Sequence, residues 1–319
     1  MRNLLAISLC VFAVSVSAQG YPSRPVTLVN GFPPGAATDT ISRQIAGVLS
    51  KRLGQPIVVE NRVGASGTIG AATVARAAPD GYTLLFGVLS NLIVGPASIK
   101  DIAYDPVQSF APIVEIARGP YVLVVTPAVP ARTLAEFTDY ARKNPGKLNF
   151  GSVGPGSAHH FAGEMLKRAA GIQMVHIPYK GGGPAYTGLL GGEIQVLLDT
   201  MPGPQQYVQA GTLRALAVTG PKRLASLPDV PTFLEQGQDG VDVQFLFGIV
   251  APRGTPPDIV ARLNAEITQA LSDPEIRATL ARQSIEPTPG TPDAFGALLA
   301  LEWKRWRDIV AKTGFKAAN

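Results

Sequence analysis

The chain has 319 residues, of which 46% are hydrophobic and 16% are charged, and its formal net charge is +5. This composition can supply a large apolar core, and the length favours two domains at roughly 150 residues each. The 28 lysine and arginine residues are spread along the chain without a basic run, which argues against a nucleic-acid-binding protein. The mild positive charge is compatible with an anionic ligand.

The first 18 residues have the pattern of a secretory signal peptide. Arg2 provides a basic start, residues 4–14 form an apolar run too short to span a bilayer, and Ala18 ends a small-residue cleavage site. We expect cleavage after Ala18 and export to the periplasm, with a transmembrane anchor as the alternative. The single cysteine, Cys10, lies in this segment, so the mature chain is expected to have no disulfide and no thiol nucleophile.

Strand and helix patterns alternate between residues 26 and 86. Strands are predicted at residues 26–29, 57–59 and 82–86, with helices from near Thr38 or Asp39 to Leu53 and over residues 68–77. This order predicts a parallel sheet with right-handed crossovers. In such a sheet the ligand site lies beyond the carboxyl ends of the strands.

A second series of elements follows residue 120. The predicted strands are residues 121–125, 148–150, 174–177, 194–198 and 245–250, and the predicted helices are residues 134–142, 161–170, 260–271 and 294–306. Residues 178–184 (PYKGGGP) are predicted to form a turn. The strands near 120–125 and 245–250 are predicted to cross between two lobes.

Three glycine-bearing loops each follow an apolar run and precede a helical stretch. They are residues 31–39 (GFPPGAATD), 64–70 (GASGTIG) and 151–160 (GSVGPGSAHH), and none has the Lys-Ser/Thr pair of a P-loop. Such loops leave backbone N–H groups free at the start of a helix, where the helix dipole also favours an anion. The sequence therefore predicts a site that holds a small anion mainly with backbone donors.

An ordered series of motifs resembles the Bug-type substrate-binding proteins of tripartite tricarboxylate transporters. The series covers nearly the whole mature chain and consists of residues 34–39 (PGAATD), 59–67 (VENRVGASG), 78–83 (APDGYT), 104–106 (YDP), 144–148 (NPGKL), 156–160 (GSAHH), 178–181 (PYKG), 191–192 (GG) and 228–232 (PDVPT). The resemblance implies a two-lobed α/β fold of the type II periplasmic binding proteins, with mostly parallel sheets and flanking helices. Lobe 1 is expected at residues 19–122 plus 248–319 and lobe 2 at residues 123–247.

The resemblance also implies the ligand-binding residues. They are Gly35, Ala36, Thr38, Asp39, Ala65, Ser66, Gly67, Ser90, Ser152, Gly154, Gly156, Ser157, Tyr179, Asp199 and Phe247. His160 is added as a candidate for a helix-opening or pocket-edge hydrogen bond. Ala36 and Ser66 stand where the family usually has glycine, and His159 adds a second imidazole beside His160, so the identity of the ligand does not transfer.

Several residues allow more than one interpretation. Asp39 is as suited to capping its own helix as to touching ligand, and Asp199 either contacts the ligand or pairs within the protein, because a carboxylate near an anion site needs an amine, a hydroxyl or water. Lys180 is interpreted as a turn residue rather than a Schiff-base nucleophile. Because adjacent residues on one helix point about 100° apart, His159 and His160 would rarely bind one metal together, and we expect no metal. We also expect no cofactor.

The expected function is that of a periplasmic receptor for a small carboxylate, monomeric, with the membrane permease of a tripartite transporter as its partner. The ligand could be a di- or tricarboxylate, an acidic amino acid or an aromatic acid. A ligand sensor for a signalling partner, a binder of phosphate or phosphonate, and a periplasmic enzyme acting on a small acid are the alternatives. No Gly-x-Ser-x-Gly elbow is present, and we expect no catalytic residues.

Overall fold

The computed structural model describes residues 20–314 except residue 202, so the predicted signal peptide at residues 1–18 lies outside the described residues. Within them, nine strands form a mixed sheet with helices packed on its faces. The strands are β1 Val26–Asn30, β2 Ile57–Asn61, β3 Thr83–Val88, β4 Phe110–Val125, β5 Leu148–Ser152, β6 Met174–Pro178, β7 Val196–Thr200, β8 Arg214–Val218 and β9 Gln244–Pro252. The α-helices are α1 Ala37–Leu53, α2 Thr68–Ala75, α3 Gly95–Ser98, α4 Leu134–Lys143, α5 Ala158–Ala170, α6 Gly182–Leu190, α7 Gln205–Gln209, α8 Pro257–Ser272, α9 Pro274–Arg282 and α10 Pro292–Thr313. The predicted α/β class is confirmed.

The sheet has two parts that share strand β4. The first half-sheet contains β2, β1, β3, β9 and residues 110–120 of β4, and the second contains β6, β5, β7, β8 and residues 121–125 of β4. The pairs β1–β2, β1–β3, β5–β6 and β5–β7 are parallel, and pairing is antiparallel wherever β4 or β9 takes part. The strands that lead into the glycine loops are therefore parallel, as the sequence predicts.

Helix ends follow local sequence signals. α1 ends at Gly54, which adopts the left-handed conformation with a φ of 68°. Thr133 caps α4 by accepting from the N–H of Glu136, and the Glu136 carboxylate accepts in return from the N–H of Arg132. These contacts fix where each helix begins and ends relative to the sheet.

Gly31 and Gly67 let the first two glycine loops come together. A methyl group on Gly31 would lie 2.7 Å from the Cα of Gly67, closer than real side chains allow. Gly67 also has a φ of 86°, a conformation that glycine adopts without steric cost. The two loops therefore begin their helices side by side at the carboxyl edge of the first half-sheet.

The main core runs through both half-sheets. Phe161 of α5 packs edge-on against the fully buried Trp306 of α10, with ring centroids 5.3 Å apart. Helix α10 also packs on β4, α3 and α8. It therefore contacts elements of both half-sheets. In the described ranges, 20–201 and 203–314, no helix has the length and hydropathy needed to cross a bilayer.

Several elements differ from the sequence prediction. β4 begins at Phe110 instead of Tyr121, and α6 occupies part of the predicted turn at residues 178–184. The strand β8 and the helices α3, α7 and α9 are additional. Pro112 lies in β4 next to a register shift, where a strand tolerates proline. Pro184 lies in the first turn of α6, where a missing N–H costs no hydrogen bond.

Candidate ligand-binding site

A cavity of about 80 Å³ lies between the two half-sheets, where the glycine loops meet. Its apolar wall is formed by Phe32, Val88, Leu89, Tyr121, Val153, Phe245, Leu246 and Phe247, and its more polar wall by the first turn of α1 with Ser90, His159, Gly182, Asp199 and Thr200. Among the described residues that line it, none is a lysine or an arginine. An anion here would have to be held by backbone N–H and hydroxyl groups.

Part of the predicted site lies on the cavity wall. The predicted residues among the lining are Ala36, Thr38, Ser90, Asp199 and Phe247. Those that lie outside the lining are Gly35, Asp39, Ala65, Ser66, Gly67, Ser152, Gly154, Gly156, Ser157, His160 and Tyr179. Two larger hollows, each of about 750 Å³, contain none of the predicted residues.

The first turn of α1 presents free hydrogen-bonding groups at the cavity. Its N-cap residue, Ala36, makes no side-chain cap, and Ala37 and Thr38 line the cavity. The first N–H groups of a helix have no intrahelical acceptor. The hydroxyl of Thr38 is buried and has no partner among the described residues. The N–H groups and the hydroxyl of this turn are therefore donors for which a bound anion would be the acceptor.

The corresponding turn of α5 is already occupied by protein groups. The N–H of Ala158 donates to the hydroxyl of Ser90 over 3.1 Å, and the N–H of His160 donates to the hydroxyl of Ser157 over 3.3 Å. The resemblance implies that loops of both lobes hold the ligand, whereas in the structure two of the first N–H groups of α5, those of Ala158 and His160, already donate to hydroxyl groups of the protein.

The hydroxyl of Ser66 joins the second and third glycine loops. It donates to the carbonyl of Pro155 over 2.7 Å. Ser66 has a φ of 55°, which costs a non-glycine residue energy. The hydroxyl that was predicted to meet the ligand therefore makes a contact between the half-sheets.

Asp39 is fully engaged inside its own loop. Its carboxylate accepts from the N–H of Gly35 at 2.9 Å, from Asn61 at 2.8 Å and from Arg43 at 3.0 Å. Burial alone would raise the pKa of Asp39, but the bonds from Arg43, Gly35 and Asn61 outweigh it and lower that pKa. Asp39 also lies inside the first turn of α1, not at its N-cap. Its observed role is to hold the loop in shape.

Asp199 is buried at the end of β7 and lines the cavity. It accepts from Tyr186 at 2.9 Å and from the N–H of Thr200 at 2.7 Å, and its Oδ1 lies 2.8 Å from Nε2 of His159. Burial and the neighbouring Asp199 charge raise the pKa of Tyr186, which therefore stays a neutral donor. Internal pairing thus accounts for most of the hydrogen-bonding capacity of Asp199.

His160 packs in a histidine pair behind the third glycine loop. Its ring stacks on His176 with centroids 3.6 Å apart, and Nε2 of His176 lies 2.7 Å from the hydroxyl of Ser152. Burial lowers the pKa of His160 to about 3, helped by His176 and Lys167. Burial also lowers the pKa of His176 to about 4, helped by Lys167. His159, not His160, reaches the cavity.

Tyr179 points away from the cavity. A methyl group on Gly188 of α6 would lie 2.2 Å from its hydroxyl oxygen, so the ring packs closely against that helix. With Gly188 and Glu193 it lines a hollow on the outside of the second half-sheet. Tyr179 directly follows the strand β6, but the direction of its ring is set by packing against α6.

Eleven further residues line the cavity without being predicted from the sequence. They are Phe32, Ala37, Val88, Leu89, Tyr121, Val153, His159, Gly182, Thr200, Phe245 and Leu246. Two of them carried a usable signal, because Thr200 directly follows Asp199 and His159 departs from the family pattern. Over the described parts of the chain, no group of three or more His, Cys, Asp or Glu side chains is placed to hold a metal ion.

Comparisons with known proteins identify the family. The model of the tripartite tricarboxylate transporter family receptor, TctC, matches residues 41–315. The chain belongs to this family. Among solved TctC-like structures, Rpa4515 from R. palustris with adipate is 35% identical with a TM-score of 0.88, over 93% of this chain and 99% of that chain.

Two further solved proteins are similarly close to this TctC-family chain. MatC from Rhodopseudomonas palustris with bound malate is 34% identical with a TM-score of 0.86, over 91% of this chain and 100% of that chain. The periplasmic binding protein BugD is 34% identical with a TM-score of 0.87, over 93% of this chain and 99% of that chain. The Bug-type resemblance and the periplasmic-binding-protein fold are confirmed.

Proposed function

We propose that this chain is a periplasmic receptor that encloses one small carboxylate and delivers it to the permease of a tripartite transporter. The observation that carries the proposal is the open first turn of α1: Ala36, Ala37 and Thr38 line a cavity whose described lining has no lysine or arginine, and the Thr38 hydroxyl is buried without a partner among the described residues. A carboxylate is small enough to be held by such a turn, and the helix dipole stabilises its charge. The ligands of Rpa4515 and MatC, adipate and malate, are carboxylates as well.

The proposal includes two lobes, at residues 19–122 plus 248–319 and at residues 123–247, that close on the ligand. β4 changes its pairing partners from β9 to β7 and β8 between Pro120 and Tyr121, close to the proposed boundary. Strands that continue from one lobe into the other are suitable hinges, because small changes of φ and ψ there rotate whole lobes. Export through the predicted signal peptide and a monomeric state belong to the same proposal.

An enzymatic role has less support. Ser152 and His176 form a serine–histidine contact, but the Ser152 side chain is fully buried and lies off the cavity. Its hydroxyl also bonds both the N–H and the carbonyl of Gly154, which makes it a loop-shaping group. The family model is that of a transporter receptor and BugD is a periplasmic binding protein, so binding without turnover is the function we propose.

A thermal-shift screen tests the proposal. The mature protein is melted with small mono-, di- and tricarboxylates, amino acids, phosphonates, phosphate and sugars. A carboxylate at a hundred times its Kd should add about 2.7 kcal/mol of stability, or roughly 5 °C for a chain of this size. Stabilisation by phosphate or phosphonates alone would reject the ligand class, and chemical turnover of a stabilising acid would reject the receptor role.

A further inference from the structure

We propose that His159 selects the group at the far end of the ligand, favouring a hydroxyl over a second carboxylate, and that Asp199 acts as its positioning residue. The inference rests on the proposed function, because it places the ligand carboxylate at the α1 turn. His159 and Asp199 lie on the second half-sheet's side of the same cavity. A ligand that spans the cavity from α1 therefore ends at this pair.

The contact with Asp199 fixes which nitrogen of His159 carries a proton. Nε2 lies 2.8 Å from Oδ1 of Asp199, and an ionised carboxylate can only accept a hydrogen bond. The proton of a neutral imidazole is therefore on Nε2, which leaves Nδ1 with a lone pair. Nδ1 is buried and has no hydrogen-bond partner among the described residues. Because His159 lines the cavity, a ligand donor that reaches Nδ1 would complete its hydrogen bonding.

Asp199 is held in the geometry that this role requires. Tyr186 and the N–H of Thr200 donate to its two oxygens, so the carboxylate cannot turn away from His159. The ring of His159 is also held edge-on against Tyr121, with centroids 5.2 Å apart. The orientation of the imidazole is thus set from two sides before a ligand arrives.

The same geometry disfavours a second carboxylate at this end. It would bring a negative charge toward Asp199 and face the lone pair of Nδ1 with another acceptor. The lining offers no lysine or arginine to offset that charge, and an unpaired buried charge is strongly unfavourable. A hydroxyl supplies the missing donor without adding charge.

Calorimetric titration with three ligand series tests the inference. Each series has a fixed chain length and a terminal carbon that is a methyl, a hydroxymethyl or a carboxylate: propionate, 3-hydroxypropionate and malonate; butyrate, 4-hydroxybutyrate and succinate; hexanoate, 6-hydroxyhexanoate and adipate. In the series that binds tightest, the hydroxy acid should exceed the other two by about fivefold in affinity, the worth of one neutral hydrogen bond.

Two variants separate the nitrogens of His159. The amide of His159→Asn lies where Nδ1 was and can still accept from the ligand, whereas the amide of His159→Gln lies where Nε2 was and can still donate to Asp199. We expect His159→Asn to keep the preference for the hydroxy acid and His159→Gln to reduce it below about twofold. Circular dichroism and melting curves check that both variants are folded.

The outcomes distinguish this inference from the function on which it rests. If carboxylates bind but the dicarboxylate is preferred, or if His159→Gln keeps the preference and His159→Asn loses it, the selecting role of His159 is wrong and the receptor proposal stands. If no carboxylate of any series binds while another ligand class does, both proposals fail.

Discussion

At the scale of a single residue, the hydroxyl of Thr38 is the unsatisfied polar atom that we expect to bind the ligand. Its hydroxyl is buried without a partner, and an unsatisfied buried polar group costs about 1–3 kcal/mol. Thr38→Val keeps the shape and removes the hydroxyl. We expect it to raise the melting temperature of the ligand-free protein and to weaken carboxylate binding by about tenfold.

The opposite signs of these two effects distinguish a ligand contact from a structural one. Thr40→Val is the matched control, because Thr40 lies in the same helix but is exposed. Thermal melting and calorimetry of both variants are sufficient. Loss of stability in Thr38→Val, or unchanged affinity in a folded variant, would contradict the role of the hydroxyl.

The stacked His160 and His176 predict a pH dependence of stability. Their pKa values are lowered in the folded protein, so the unfolded chain takes up protons first as the pH falls. Their contribution is complete above the ordinary histidine pKa of about 6.5 and is lost as the pH falls toward about 4 and 3. Each can cost up to about 1.4 kcal/mol per pH unit in this window.

Urea unfolding between pH 7 and pH 5 measures this loss, because most carboxylates titrate at lower pH. Glu115 works in the opposite direction, since burial raises its pKa. His176→Phe keeps an aromatic ring on His160 and should make the dependence on pH shallower. An identical slope in this variant would show that the histidine pair does not control it.

At this scale the sequence identified the loops of the site better than the direction of their side chains. Thr38, Ser90 and Asp199, all predicted ligand-binding residues, line the cavity, because each lies at the carboxyl edge of a strand or directly in the first helical turn beyond it. Asp39 and Tyr179 do not, since Arg43 and α6 hold them elsewhere. Such partners are distant or packing-dependent, and no local pattern reveals them.

At the scale of structural elements, the hydroxyl of Ser66 makes a hydrogen bond between the second and third glycine loops. Ser66→Ala removes the hydrogen bond to Pro155 but keeps the left-handed conformation, whereas Ser66→Gly removes the bond and relieves the backbone. Ser66→Ala should lower the free energy of unfolding by about 1 kcal/mol, and Ser66→Gly should recover most of this loss. Equal stability of the wild type and Ser66→Ala would show that the bond contributes nothing in solution.

The predicted elements succeed where periodicity and caps agree, and fail where proline or glycine masks a strand or a helix. α1 and α5 have clear apolar faces and end at Gly54 and Gly171. Pro120 lies inside β4 although proline disfavours central strands, and the glycines at the start of α6 resemble a loop. In both cases the tertiary packing of the sheet overrides the local preference.

At the scale of the whole molecule, two of the described hydrogen bonds join the half-sheets near the glycine loops. Ser66 bonds Pro155, and Ser90 accepts from the N–H of Ala158. In the proposed lobe closure, these contacts open when a ligand enters and re-form when the lobes close. Small-angle scattering should therefore show a smaller radius of gyration with a saturating carboxylate than without it, and a still larger ligand-free radius for Ser66→Gly combined with Ser90→Ala. Identical radii for all samples would contradict closure about β4.

The most direct test of the account is a crystal structure of the mature protein with the carboxylate that stabilises it most. We predict one carboxylate group within about 3 Å of the N–H groups of Ala37 and Thr38 and of the Thr38 hydroxyl, enclosed by both half-sheets. A ligand bound with its carboxylate away from the α1 turn, or in the hollow between α5 and α10, would contradict it.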